Sequence, residues 1–218
     1  MKSTLLNMTA VLFGITLVAS AGVGVVNLIT EEPIAQAKEA ATVAALNEVL
    51  PAFDATETEE LTIDELPITV YTATQSGSVT GYAVQTMTKA GFGGVVRLMV
   101  GFLPDGTVYN VNVLEQSETP GLGTKMTEEG NPLITSIQGK QIDGTLKVKK
   151  DGGKVDALTA ATISSRAYVD AVNRAYAAFA QATASAAPAV AEAETDAASG
   201  ATQPANDEPE AQEGGQNE

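Results

Sequence analysis

Leu5 to Ile29 is a run of 25 residues without a single charge, and no other feature constrains the fold of this chain as strongly. As a helix rising ~1.5 Å per residue it reaches roughly 37 Å, enough to cross a bilayer with some tilt. A cleaved secretory signal is the competing reading, since Lys2 makes a short basic start and Ala19-Ser20-Ala21 has the small-residue form of a cleavage site. The uncharged run continues well past Ala21, which favours a retained anchor over residues 1–30, and no Cys follows that would allow lipoprotein processing. Lys2 precedes the run and Glu31 and Glu32 follow it, so the remainder of the chain is expected outside the cytoplasm.

The far end is constrained by the opposite kind of composition. Residues 186–218 hold eight acidic residues, no Lys or Arg, and almost no large apolar side chain; such a stretch cannot offset the entropy of ordering itself. A disordered acidic tail is expected over 184–218. The whole chain has 27 acidic against 12 basic side chains, a net charge of −15, which argues against a nucleic-acid partner. Cys and His are both absent, which removes thiolate nucleophiles, His-based triads, His-ligated haem, iron–sulfur ligation and the usual zinc sites. Redox work in such a chain rests on a cofactor held through hydroxyls, backbone amides and apolar contacts. No metal site and no catalytic residue of its own is expected.

Between the ends the pattern is that of an α+β domain, a mostly antiparallel sheet flanked by helices, over residues 41–183 after a linker at 31–40. Ala35–Leu50 carries Val43, Leu46 and Leu50 on one helical face and stops at Pro51. An acidic loop follows. Strands are predicted at Thr69–Thr74 and Val79–Gln85 about a Gln75-Ser76-Gly77-Ser78 turn, and at Gly94–Phe102 and Thr107–Leu114 about Leu103-Pro104-Asp105-Gly106. A short helix near Asn131–Ile137 is followed by short strands at Lys147–Lys149 and Val155 about Asp151-Gly152-Gly153. Ser164 or Ser165 is then predicted to cap a helix running to about Ala182, with Val169, Val172, Tyr176 and Phe179 on one face.

Two segments carry chemistry. Val155-Asp156-Ala157-Leu158-Thr159-Ala160-Ala161-Thr162-Ile163-Ser164-Ser165-Arg166 closely resembles the flavinylation motif D-x-x-[ST]-G-A-T-x-[ST] of the FMN-bearing subunits of Rnf-type ion-translocating complexes and of sodium-pumping NADH:quinone oxidoreductases. Glu118-Thr119-Pro120-Gly121-Leu122-Gly123 matches the E-T-P-G-L-G loop of the same family, and Gly91-Phe92-Gly93-Gly94 is similar to its G-[FY]-G-G segment. Taken in isolation, Thr159, Thr162 and Ser164 read as a polar turn and an N-cap, and a lone P-G-x-G is a plain surface turn. The motifs in order behind a membrane anchor point to the family.

The resemblance implies a covalent FMN, a phosphodiester on Thr162, installed by a flavin transferase from FAD with magnesium. It also implies that Thr159, Ala161 and Ser164, with Glu118, Thr119, Gly121 and Leu122 from the other loop, surround the flavin. Before a helix, the phosphate meets amides without intrahelical acceptors and the positive end of the dipole, and Arg166 is a possible cation there. Ala160 stands where the family has Gly, and its methyl restricts the backbone if that position needs positive φ. The Rnf-type subunit, carrying electrons in a ferredoxin:NAD oxidoreductase that moves Na⁺ or H⁺, fits better than its quinone-reductase counterpart. Other subunits of that membrane complex are the implied partners. NAD itself is not expected to bind, for no strand-turn-helix G-x-G-x-x-G unit is present. The rival from another class is a cofactor-free, membrane-anchored interaction module whose acidic tail recruits partners.

Overall fold

A computed structural model of the protein describes residues 2–198, with side chains over 4–184. By internal contacts, Met1–Ala180 forms one compact unit and Gln181–Glu218 a second.

The first element, α1, is one continuous helix over Lys2–Val49. The anchor, the expected linker at 31–40 and the helix predicted from Ala35 are therefore a single rod, with Pro33 inside it. Pro33 removes one ladder bond, but its neighbours Glu31, Glu32, Ala35, Gln36, Ala37 and Lys38 are good helix formers that carry the ladder past it. By length and composition this helix can cross a membrane, and none of its most apolar window is buried in the protein. A core helix would have hidden that surface.

Five strands follow: β1 Ala55–Ile63, β2 Leu66–Gln75, β3 Ser78–Thr88, β4 Val96–Phe102 and β5 Val108–Glu115. They form an antiparallel meander in sequence order. β2 to β5 are the four predicted strands; β1 replaces the acidic loop expected there. Its residues Thr56, Thr58 and Thr62 have strand propensity, and Asp64 and Glu65, at φ 51 and 62, make the two-residue turn that sets it against β2. Glu57, Glu59 and Glu60 leave this edge strand charged, which guards it against further pairing.

Alternation along the strands divides the sheet into two faces. Ala73, Ala83 and Met99 pack against Ala45, Leu46, Val49 and Leu50 at the end of α1. A Cβ at Gly101 would collide with the Val49 carbonyl, so only glycine lets that helix end so close. The opposite face, with Tyr82, Val84, Leu98 and Phe102, receives α3, which runs over Thr162–Ala198. The Phe179 ring lies 4.9 Å from Phe102 and 5.3 Å from Tyr82, centroid to centroid. Between β5 and α3 comes α2, Pro132–Ile137.

The structure corrects two local expectations. Residues 147–155 are not a pair of strands but a 3₁₀ turn at Lys149–Asp151, closed by a single Val148–Val155 bridge. Gly152 is left-handed, φ 82, and folds the chain back too soon for a ladder. Nor do Ser164 and Ser165 precede α3: the helix begins at Thr162, so both serines lie in its first turn. α3 also runs beyond Ala182. The acidic tail expected over 184–218 falls outside the described side chains from 185 and outside the described residues from 199.

Candidate functional site

Glu118 is 5% exposed, and its carboxylate joins three segments distant in sequence. Oε1 accepts from the Gly93 amide at 3.1 Å and Oε2 from the Ser164 hydroxyl at 2.5 Å. The loop before β4, the loop after β5 and the first turn of α3 are thereby tied together. A Cβ on Gly123 would lie 2.6 Å from both the Glu118 Cβ and the Ser164 Oγ, so the loop closes over this pair only because position 123 has no side chain. Beyond it, Leu122 donates to the Thr119 carbonyl at 3.1 Å, and Gly121, at φ 74, donates to Thr124 Oγ1 at 2.9 Å.

The facing wall is the turn that leads into α3. Ala161 donates to the Leu158 carbonyl at 3.2 Å, and Ala160 between them is left-handed at φ 58. The methyl costs about 1–2 kcal/mol in that conformation. Ser165, fully buried, holds the turn by accepting from the Leu158 amide at 3.0 Å and donating to the Ala161 carbonyl at 2.8 Å. Thr162 then opens the helix, and Lys150 Nζ donates to its Oγ1 at 3.0 Å.

Between these walls lies a cleft of ≈ 380 Å³, lined by Glu118, Thr119, Leu122 and Gly123 on one side and Ala160 to Ser164 on the other, with Phe92 and Lys150. Phe92, Leu122 and Ile163 are 68%, 40% and 48% exposed, an apolar rim suited to covering a flat ring. The floor has the opposite character. The first amides of α3 have no intrahelical acceptor, the capping position is Ala161 with no side-chain acceptor, and the Lys150 ammonium stands over Thr162. A helix start so arranged favours an anion.

Of the residues singled out by sequence, Thr162, Ala161, Ser164, Glu118, Thr119 and Leu122 line this cleft; Thr159 and Gly121 do not. Thr159 is exposed on the preceding turn, and Gly121 shapes its loop. Arg166 is turned elsewhere: its guanidinium grips Asp151 at 2.7 and 2.6 Å, which holds the Asp151 carboxyl below the usual carboxylate range. The cation at Thr162 is Lys150, which sequence reasoning missed, as it missed Ile163 at the rim. A basic residue beside the Asp151-Gly152 turn was the only linear signal for Lys150. Among the described residues no cluster of His, Cys, Asp and Glu can hold a metal.

Comparison with known proteins converges on the same segment. The family model described as "FMN-binding domain" matches residues 91–177, a span that contains every residue lining the cleft. The chain is 32% identical over 194 residues to the G subunit of the ion-translocating oxidoreductase complex of Shewanella loihica, covering 82% of this chain and 91% of the relative. It is 34% identical over 172 residues to the G subunit of the same complex in Vibrio atlanticus, covering 72% and 82%. With the counterpart in Pasteurella multocida it shares 42% identity over 106 residues, 47% of this chain and 52% of the relative.

Proposed function

The chain belongs to the G-subunit family of ion-translocating oxidoreductase complexes, and from that premise we propose that it is a membrane-anchored electron relay whose FMN is esterified through its phosphate to Thr162. One observation carries the reading. The Thr162 hydroxyl is the nucleophilic oxygen on the cleft wall that lies both on an uncapped helix start and against a lysine.

The residues fit the group. Oγ1 of Thr162 would bond to the FMN phosphorus of FAD while the bond to AMP breaks and the hydroxyl proton leaves, a reaction in which a flavin transferase supplies magnesium and FAD. Lys150 orients that oxygen and would face the phosphate, whose oxygens would accept from the first amides of α3 in place of the missing side-chain cap. Phe92, Leu122 and Ile163 offer the isoalloxazine an apolar seat. Glu118 and Ser164 hold the two walls at a set separation. Bound FMN supplies the one- and two-electron chemistry that a chain without Cys or His lacks.

The complex is a ferredoxin:NAD oxidoreductase of the Rnf type in this reading, coupled to Na⁺ or H⁺, and the chain sits in the inner membrane among the other subunits. Lys2 before the apolar run and Glu31 and Glu32 after it support an extracytoplasmic flavin domain in this reading.

Thr162→Val keeps the side-chain shape and removes the nucleophile. With transferase present, the wild-type chain should gain one FMN less one water by intact mass, mapped to the peptide Val155–Arg166, and the variant should gain nothing while staying folded. An adduct on the Thr162→Val chain would overturn the assignment.

A further inference from the structure

Basic residues are scarce in this acidic chain, and half of the 12 fall between Lys140 and Arg166. Lys140, Lys147, Lys149, Lys150, Lys154 and Arg166 stand there against only Asp143, Asp151 and Asp156. Lys149 is paired with Asp156 and Arg166 with Asp151. The remaining four lysines are exposed, and none forms an ion pair among the described residues. Lys140, Lys147 and Lys154 line one groove of ≈ 540 Å³ whose only acidic lining residue is Asp143. Lys150 leaves the same loop toward the Thr162 cleft. Groove and cleft thus share the 147–155 loop, which three cross-loop bonds hold in shape: Lys149 N to Val155 O at 2.9 Å, Val155 N to Lys147 O and Gly153 N to Val148 O at 3.1 Å.

We propose that this lysine face is the docking surface for a negatively charged redox protein that exchanges electrons at the Thr162 cleft, a proposal that rests on the FMN reading above. Unpaired charges of one sign beside a redox centre focus the local field against the sign of the whole molecule and raise encounter rates with an opposite partner. All four are lysines, hydrated point charges on flexible stems, which suits the small, short-lived contacts of electron-transfer partners.

An anionic lipid surface is the other ligand such a face can take, and the geometry disfavours it. From Ile29, where the uncharged run ends, to Ala45, the first buried residue of α1, the helix rises roughly 24 Å. That is more than twice the ~8–10 Å over which headgroup charge is felt in physiological salt. The lysine loop, moreover, is fastened to α3 through Lys150–Thr162 and Asp151–Arg166, on the opposite face of the sheet from α1.

The test uses the full-length, flavin-loaded chain in neutral detergent micelles, reduced anaerobically. It is mixed with ferricyanide or with tris(phenanthroline)cobalt(III), an anion and a cation that each accept one electron from the reduced flavin, across a series of ionic strengths. Despite the net charge of −15, ferricyanide should react fastest at low salt and slow by about tenfold as salt is added, while the cobalt reagent should speed up. Lys147→Glu with Lys154→Glu, both outside the cleft, should invert these trends at unchanged FMN content by mass. A ferricyanide rate that rises with salt in the wild type, or a double variant that behaves as wild type, overturns the docking face alone. So does loss of the ferricyanide preference in phosphatidylglycerol liposomes but not in neutral ones, which would make lipid the occupant. A chain with no flavin adduct sinks the FMN reading and this proposal with it.

Discussion

Helices α2 and α3 begin in opposite ways. At the start of α2, Asn131 Oδ1 accepts from the Leu133 and Ile134 amides at 3.0 and 3.2 Å, Pro132 removes another donor, and Asn131 Nδ2 ties back to the Met126 and Glu128 carbonyls at 2.9 and 2.8 Å. At the start of α3 the capping residue is Ala161, preceded by a left-handed alanine, and two charged groups come from other loops: Lys150, which donates to Thr162, and Glu118, which accepts from the Ser164 hydroxyl. A helix that serves only the fold satisfies its own end. One without a side-chain cap leaves its first amides available to an anion, as the FMN reading proposes for α3.

The contrast can be broken first at α2. Asn131→Ala removes the acceptor for two amides and the buried donor to the Met126 carbonyl, while the Glu128 carbonyl keeps the backbone amide of residue 131, so the chain should lose about 2 kcal/mol of stability. Urea unfolding measures it; flavin loading of the folded fraction should be unchanged, and a loss of loading would show that α2 shapes the cleft. The strain beside α3 is the next target. Ala160→Gly should stabilise the chain by about 1 kcal/mol, the relief of a left-handed methyl less the added entropy of glycine in the unfolded chain, with flavin loading retained. A destabilised variant would mean that the Ala160 methyl packs usefully. The smallest effect belongs to Ala161→Ser, which gives α3 the cap it lacks. The flavin-free chain should gain about 0.5 kcal/mol, and the extra stability conferred by flavin attachment should shrink, because the hydroxyl takes an amide that the phosphate would otherwise hold. Melting temperatures of loaded and unloaded chains compare the two.

How much of this is legible in the sequence depends on the range over which each feature is decided. The Ser76-Gly77 hairpin turn and the short helix at Asn131–Ile137 announce themselves within a few residues, because backbone preference is local. β1 is not legible: it is exposed along most of its length, so no burial alternation marks it, and its pairing with β2 makes it a strand. The site divides similarly. Thr162 stands out through its motif, and Ala160 through the glycine it replaces, at a position where positive φ matters and where the structure has φ 58. Arg166 is the cation the sequence suggests, yet Asp151 holds it and Lys150 takes the place.

By itself the sequence determined what composition and short-range patterning decide: an uncharged run long enough for a bilayer, an antiparallel sheet punctuated by turn residues, and a chain without Cys or His; the motif around Thr162 marked the segment in which the proposed site lies. Only the tertiary structure decided which groups stand around that threonine. Gly93 and Ser164 meet on Glu118 across 25 and 46 residues of chain, and Lys150 reaches Thr162 across 12. Those contacts depend on how the loops are carried by the sheet and α3, and contact between residues so far apart is a property of packing that no local run of residues encodes.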